Sequence, residues 1–171
     1  MYSKFREFDL AELRRVLRYD PHIGKPYWRV KPSPRIKAGA VAGCLSKSTG
    51  YILIKGFDVQ ICAHRVAWAL YYGCWPSTLL DHRNRIKTDN RIKNLRPATI
   101  AQNSANSIRS PNKSGYRGVY REEGNKNWFA SIKINGKNKN LGTFSDPKEA
   151  HEAYQRAARE LHGEFACQKQ V

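Results

Sequence analysis

The chain has 171 residues, with 31 Lys and Arg against 14 Asp and Glu, for a formal net charge of +17. That length allows one ordinary domain or two small ones. No apolar run approaches the roughly 20 residues of a spanning helix, and the opening MYSKFREFDLAELRR lacks the apolar stretch of a secretory signal, so the expected location is cytoplasmic. Four Trp, nine Tyr and six Phe are too many for a disordered basic tail. A folded and strongly basic chain points to a polyanion, most often nucleic acid. Charge by itself also fits a ribosome-associated or RNA-binding protein.

Residues 10–17 open the chain as a helix. Leu10, Leu13, Val16 and Leu17 recur at helical spacing, and Asp9 with Glu12 has the offset of a capping box. Residues 19–30 carry turn chemistry at Asp20-Pro21 and Gly24, then an aromatic strand. Residues 31–43 mix Pro, Gly and basic residues and read as loop. Residues 51–62 read as two short strands joined at Lys55-Gly56. Residues 64–73 are an apolar helix that Gly73 can end. The cysteines Cys44, Cys62, Cys74 and Cys167 have no metal-site spacing, and the expectation is four small buried thiols.

Residues 79–106 carry the chemistry. A strand ending in Asp81-His82 runs into a basic loop, then Asp89-Asn90-Arg91 and Asn94-Leu95-Arg96. Successive strand residues point to opposite sides, so Asp81 can hold a cation while His82 addresses a water. Oxygens of Asp81 and Asn94 suit a hard divalent ion, Mg²⁺ before Mn²⁺. Neutral imidazole can take a proton from water near neutral pH. Arg83, Arg85, Lys87, Arg91, Lys93 and Arg96 are placed to hold phosphates. Asn90 and Asn94 also suit caps of a short helix. His64 suits a packed structural histidine. His22, His151 and His162 have no partner in sequence.

Beyond this stretch, Ser- and Asn-rich residues 103–115 read as a connector. Residues 1–109 carry 20 basic and 7 acidic side chains, a net +13, and the rest a net +4. Residues 116–121 read as a strand. Residues 128–134 alternate, with Trp128, Ala130, Ile132 and Ile134 on one face, and Asn135-Gly136 signals a hairpin into 137–144. Asp146 as N-cap and Pro147 open a helix with Ala150, Ala153, Tyr154, Ala157, Ala158 and Leu161 on one stripe, ended by Gly163.

Two resemblances follow. The pattern D-H-x-N-x-x-x-x-D-N-R-x-x-N-L-R, preceded by H-R-x-x-W at 64–68, resembles the HNH endonucleases of phage and mobile introns. The likeness runs from about residue 10 to 106. It implies a ββα-metal domain in which His82 is the general base, Asn90 the brace of the loop, and Asp81 and Asn94 the ligands of one divalent metal. Residues 114–166, with YRGV, W-x-A-x-I, LGTF and EAHEAYQRAARELHG, resemble an AP2 domain. That implies a sheet laid in the major groove of double-stranded DNA, with Arg117, Arg121 and Lys133 on the DNA side and Lys137 and Lys139 on phosphate. The AP2 proteins of plants have Arg at the positions of Tyr120 and Asn138 and Trp at Asn140, so no target sequence transfers.

The fold class expected is α+β in two domains. Residues 1–106 form the nuclease, with its motif core at 64–100. Residues 107–115 form a linker and residues 116–166 the AP2 part. The expected activity is metal-dependent hydrolysis of duplex DNA by a monomer. The alternative is a sequence-specific DNA-binding regulator with a silent nuclease site.

Overall fold

A computed structural model describes residues 8–56, 60–107, 113–134 and 136–167. Chain contacts divide it into two compact units, Met1–Thr99 and Ile100–Val171.

The first unit begins with helix α1 (Leu10–Val16), whose N-cap Asp9 accepts from the Ala11 amide at 3.2 Å. The capping box does not close, because Glu12 turns to Arg15 one turn on. Leu17 leaves the helix and starts β1 (Leu17–Asp20), which pairs antiparallel with β2 (Lys25–Trp28). Strands β3 (Cys44–Leu45), β4 (Ile52–Lys55) and β5 (Gln60–Cys62) form a three-stranded antiparallel sheet. Helix α2 (Ala63–Tyr72) follows at once and ends at Gly73 in the left-handed region. Its buried side packs with Leu13, Val16, Leu17, Trp28, Ile54 and Ile61 into one core. Strands β6 (Leu79–His82) and β7 (Leu95–Ala98) then form an antiparallel pair around a long loop, with Asp81 opposite Arg96 and His82 opposite Leu95.

The second unit contains α3 (Ile100–Asn106), β8 (Val119–Tyr120), β9 (Trp128–Ile134), β10 (Lys137–Phe144) and α4 (Pro147–His162). The sheet order is β10-β9-β8, all antiparallel. Ala130 and Ile132 of β9 meet Ala150, Tyr154 and Ala158 of α4. Asp146 caps α4 through the Lys148 amide at 2.9 Å. Only Val119 and Tyr120 of the strand expected at 116–121 are strand, because Gly118 sits in the left-handed region. A Cβ on Gly118 would lie 2.0 Å from a Tyr154 ring carbon, so only glycine lets this turn reach α4. Residues up to 106 were expected in the first domain. Instead α3 packs on α4, and Arg117 fixes its C-terminal end by donating to the carbonyls of Ser104, Ala105 and Ser107 at 3.0, 3.0 and 2.8 Å.

Leu161 of the apolar stripe is 43% exposed. The four thiols are free, and Cys44 and Cys74 are exposed where buried ones were expected. Asn135 of the expected hairpin turn lies outside the described residues. Among the described residues no helix is long and apolar enough to cross a membrane.

Candidate functional site

The site is built on β6, β7 and the loop between them. Asp81 and His82 are both 4% exposed, so the strand end is enclosed by protein. Asp81 bonds Arg96 and His82 bonds Asn90, as strand alternation requires. Asp81 Oδ2 accepts from Arg96 Nε at 2.8 Å, across the pair from its register partner. Both side chains of that ion pair are 5% exposed. Arg96 was expected on phosphate; it is buried and holds the carboxylate instead.

His82 faces the other way. Its Nε2 lies 3.0 Å from Asn90 Oδ1. An amide oxygen only accepts, so Nε2 carries the proton and the lone pair is on Nδ1. The His64 ring meets His82 edge-on with centroids 5.2 Å apart, and Tyr51 lies 5.2 Å from His64 and 6.0 Å from His82. Burial pushes His82 below the usual imidazole range, while the bond to Asn90 and the Asp81 charge oppose that. Burial, with help from His82 and Arg65, takes His64 down to about 3. Both rings are therefore neutral at neutral pH. His64 reaches His82 from α2, a ring contact that spacing in the sequence does not report.

The loop is tied by its own amides. Asn94 Oδ1 accepts the Asn84 N–H at 3.0 Å, and its Nδ2 donates to Asn84 Oδ1 at 2.9 Å and to the Asp89 carbonyl at 2.7 Å. Arg83 N–H donates to the Asn94 carbonyl at 2.8 Å. Asn94 was expected as a metal ligand, but its amide is engaged at both ends in bracing the loop. Asn90, expected as the loop's brace, holds His82. Asp89 grips Arg91 through two bonds, Nε at 2.7 Å and Nη2 at 2.5 Å, and Arg91 draws the Asp89 carboxyl down to about 2. Lys87 Nζ donates to the Thr49 carbonyl at 2.8 Å and lies 4.8 Å from the Tyr51 ring centre. Arg85 takes φ of 65° where the chain folds back on His82. Arg83 and Lys93 are exposed.

Residues 62–105 match the HNH endonuclease family. An uncharacterized HNH endonuclease of Acanthamoeba polyphaga mimivirus is 32% identical over 134 residues, covering 74% of this chain and 70% of that protein. The chain belongs to the HNH endonuclease family. The match spans β6, the loop and β7, so His82, Asn90, Asp81 and Asn94 all lie inside it. Membership makes the HNH chain a nuclease. Its relative comes from a giant virus, where the sequence pattern had suggested phage.

The basic residues assigned to DNA in the second unit of this HNH protein separate by register. Side chains directly opposite on paired strands share a face. Lys133 pairs with Asn138, Ser131 with Asn140, and Phe129 with Thr143 and Tyr120, on the face away from α4. Tyr120 and Phe129 stack there at 5.5 Å. Lys137 and Lys139 pair with Ile134 and Ile132, which puts them on the α4 side at the exposed edge. Arg121 lies over Trp128 at 4.7 Å. Arg117 fastens α3. Of the five, Lys133 occupies the open face.

Proposed function

We propose that this HNH nuclease hydrolyses phosphodiester bonds of double-stranded DNA with one divalent metal, and that its second unit anchors it as an AP2-type domain. The observation that supports this best is a neutral, buried His82 whose Nε2–H is held by Asn90, next along the strand to the Asp81 carboxylate. That tautomer leaves Nδ1 as the atom that takes a proton from water. Burial keeps the ring unprotonated at the pH of the reaction.

Asp81 fits a hard cation. It is a buried carboxylate with Oδ2 on Arg96, and a carboxylate has acceptor capacity beyond that bond. Asn94 fits through its remaining carbonyl lone pair while its amide braces the loop. Mg²⁺ bound there would supply positive charge for the phosphate oxygens and the leaving 3′ oxygen. The chain itself contributes the base at His82, the brace at Asn90, and a guanidinium at Arg96 that orients Asp81. Exposed Arg83 and Lys93 then meet the phosphates, with the +17 charge steering DNA toward the protein. In the second unit, Lys133 with the polar and aromatic side chains around it is the surface offered to the groove.

Incubating supercoiled plasmid with Mg²⁺ or Mn²⁺ tests this reading. Wild type nicks or linearises the DNA, EDTA stops it, and His82→Ala and Asp81→Ala abolish it. Equal cutting by wild type and both variants refutes the assigned roles. One observation favours a silent site in a DNA-binding regulator: Arg96 already neutralises Asp81. Duplex binding without cleavage under any divalent metal would select that reading.

A further inference from the structure

The brace on the base is itself held from far away in the chain. Asn90 is 1% exposed, and its Oδ1 fixes His82. Its Nδ2 is buried and finds no partner among the described residues. The amide is therefore not fixed by bonds at both of its ends, and the backbone must set its position. Two contacts from the β1–β2 hairpin do so. Tyr19 Oη donates to the Asn90 carbonyl at 2.7 Å. Burial pushes the Tyr19 phenol well above its ordinary range, so it stays a donor. Gly24 packs its α-carbon against the same stretch, where a Cβ would stand 2.3 Å from Arg91 N and 2.7 Å from the Asn90 carbonyl carbon. The turn that carries Gly24 is rigid: Asp20 Oδ1 accepts from His22 and Ile23, and the Asp20 carbonyl accepts from Gly24 at 2.9 Å.

We infer that Tyr19 and Gly24 are positioning residues for the catalytic base: they clamp the Asn90 backbone, and through Asn90 Oδ1 they orient His82. Both lie outside the residues matched by the family. The inference rests on the nuclease reading for its kinetic consequence and not for its structural one.

The test uses the full chain with Tyr19→Phe, Gly24→Ala and, as a control in the same hairpin, Tyr27→Phe. Nitrogen-15 spectra of the histidine rings report on His82 directly, its signals being assigned by their loss in His82→Gln. In wild type the ring is the Nε2–H tautomer with a slowly exchanging proton. Tyr19→Phe speeds that exchange and mixes the tautomers. It lowers plasmid-cleavage kcat by roughly 10–100-fold, the scale of a small misplacement of a catalytic group, with KM little changed. Tyr27→Phe does neither. If Tyr19→Phe fails to fold, Gly24→Ala carries the same signature. A folded Tyr19→Phe or Gly24→Ala with wild-type His82 signals overturns the inference. Failure of wild type to cut under any divalent metal overturns the nuclease reading, and the His82 spectra still decide the clamp.

Discussion

Lowering the pH should destabilise the first unit through His64, and the size of the effect can be worked out. His64 is 9% exposed in α2, with Tyr51, His82 and Arg65 around it, and its folded pKa is about 3. An unfolded histidine titrates near 6.5. A depressed folded value means that the stabilisation is complete above pH 6.5 and is lost as pH falls toward 3, because the unfolded chain takes up the proton first. At pH 5 the loss is about 2 kcal/mol relative to pH 7.5. His82 is shifted in the same direction and adds to the slope. The assay is urea unfolding at several pH values between 7.5 and 5, followed by tryptophan fluorescence. Three of the four tryptophans, Trp28, Trp68 and Trp75, belong to this unit. His64→Phe keeps a flat ring against Tyr51 and His82 and removes the titration. Its free energy should therefore fall by about 2 kcal/mol less than that of wild type between the two pH values. Parallel curves would show that His64 is not held neutral by its surroundings.

Three further outcomes follow from the site and its supports. Arg96→Met should cost about 3–5 kcal/mol by taking the guanidinium from the buried Asp81 carboxylate; the double variant with Asp81→Asn should recover much of that, as read from urea midpoints. Asp89, held near 2 by Arg91, stabilises the loop above the ordinary carboxylate range and loses that as pH falls from about 4 toward 2, so Asp89→Asn should flatten hydrogen exchange of the loop amides across that window. Arg117→Ala should cost roughly 1–3 kcal/mol in the second unit and speed exchange in α3. Arg117→Lys should not restore it, because an ammonium lacks the planar fork that reaches three carbonyls.

The local grammar of the chain was readable. Alternation placed Trp128, Ala130, Ile132 and Ile134 on one face, Asp146-Pro147 opened α4, Gly73 closed α2, and Asp81-His82 ended a strand. Those features depend on neighbours within a few residues. What spacing could not assign was the partner of each polar group. Asn94 braces the loop because Asn84 and the Asp89 carbonyl are within reach. Arg96 is buried because its strand register sets it opposite Asp81. Arg117 is an arginine on a turn, and only the fold brings three helix carbonyls to it. Tyr19 and His64 join the site from elements that the spacing of residues 79–106 does not mention.

The Tyr19–Asn90 bond spans 71 positions of chain. Closing a flexible loop of that length carries an entropic cost of roughly 4 kcal/mol before any contact rewards it. The β6–β7 pair can form from residues close in sequence, so it can exist before the clamp does. On the proposed reading, releasing Tyr19 from the Asn90 carbonyl would loosen the support of His82 while leaving β6 and β7 paired.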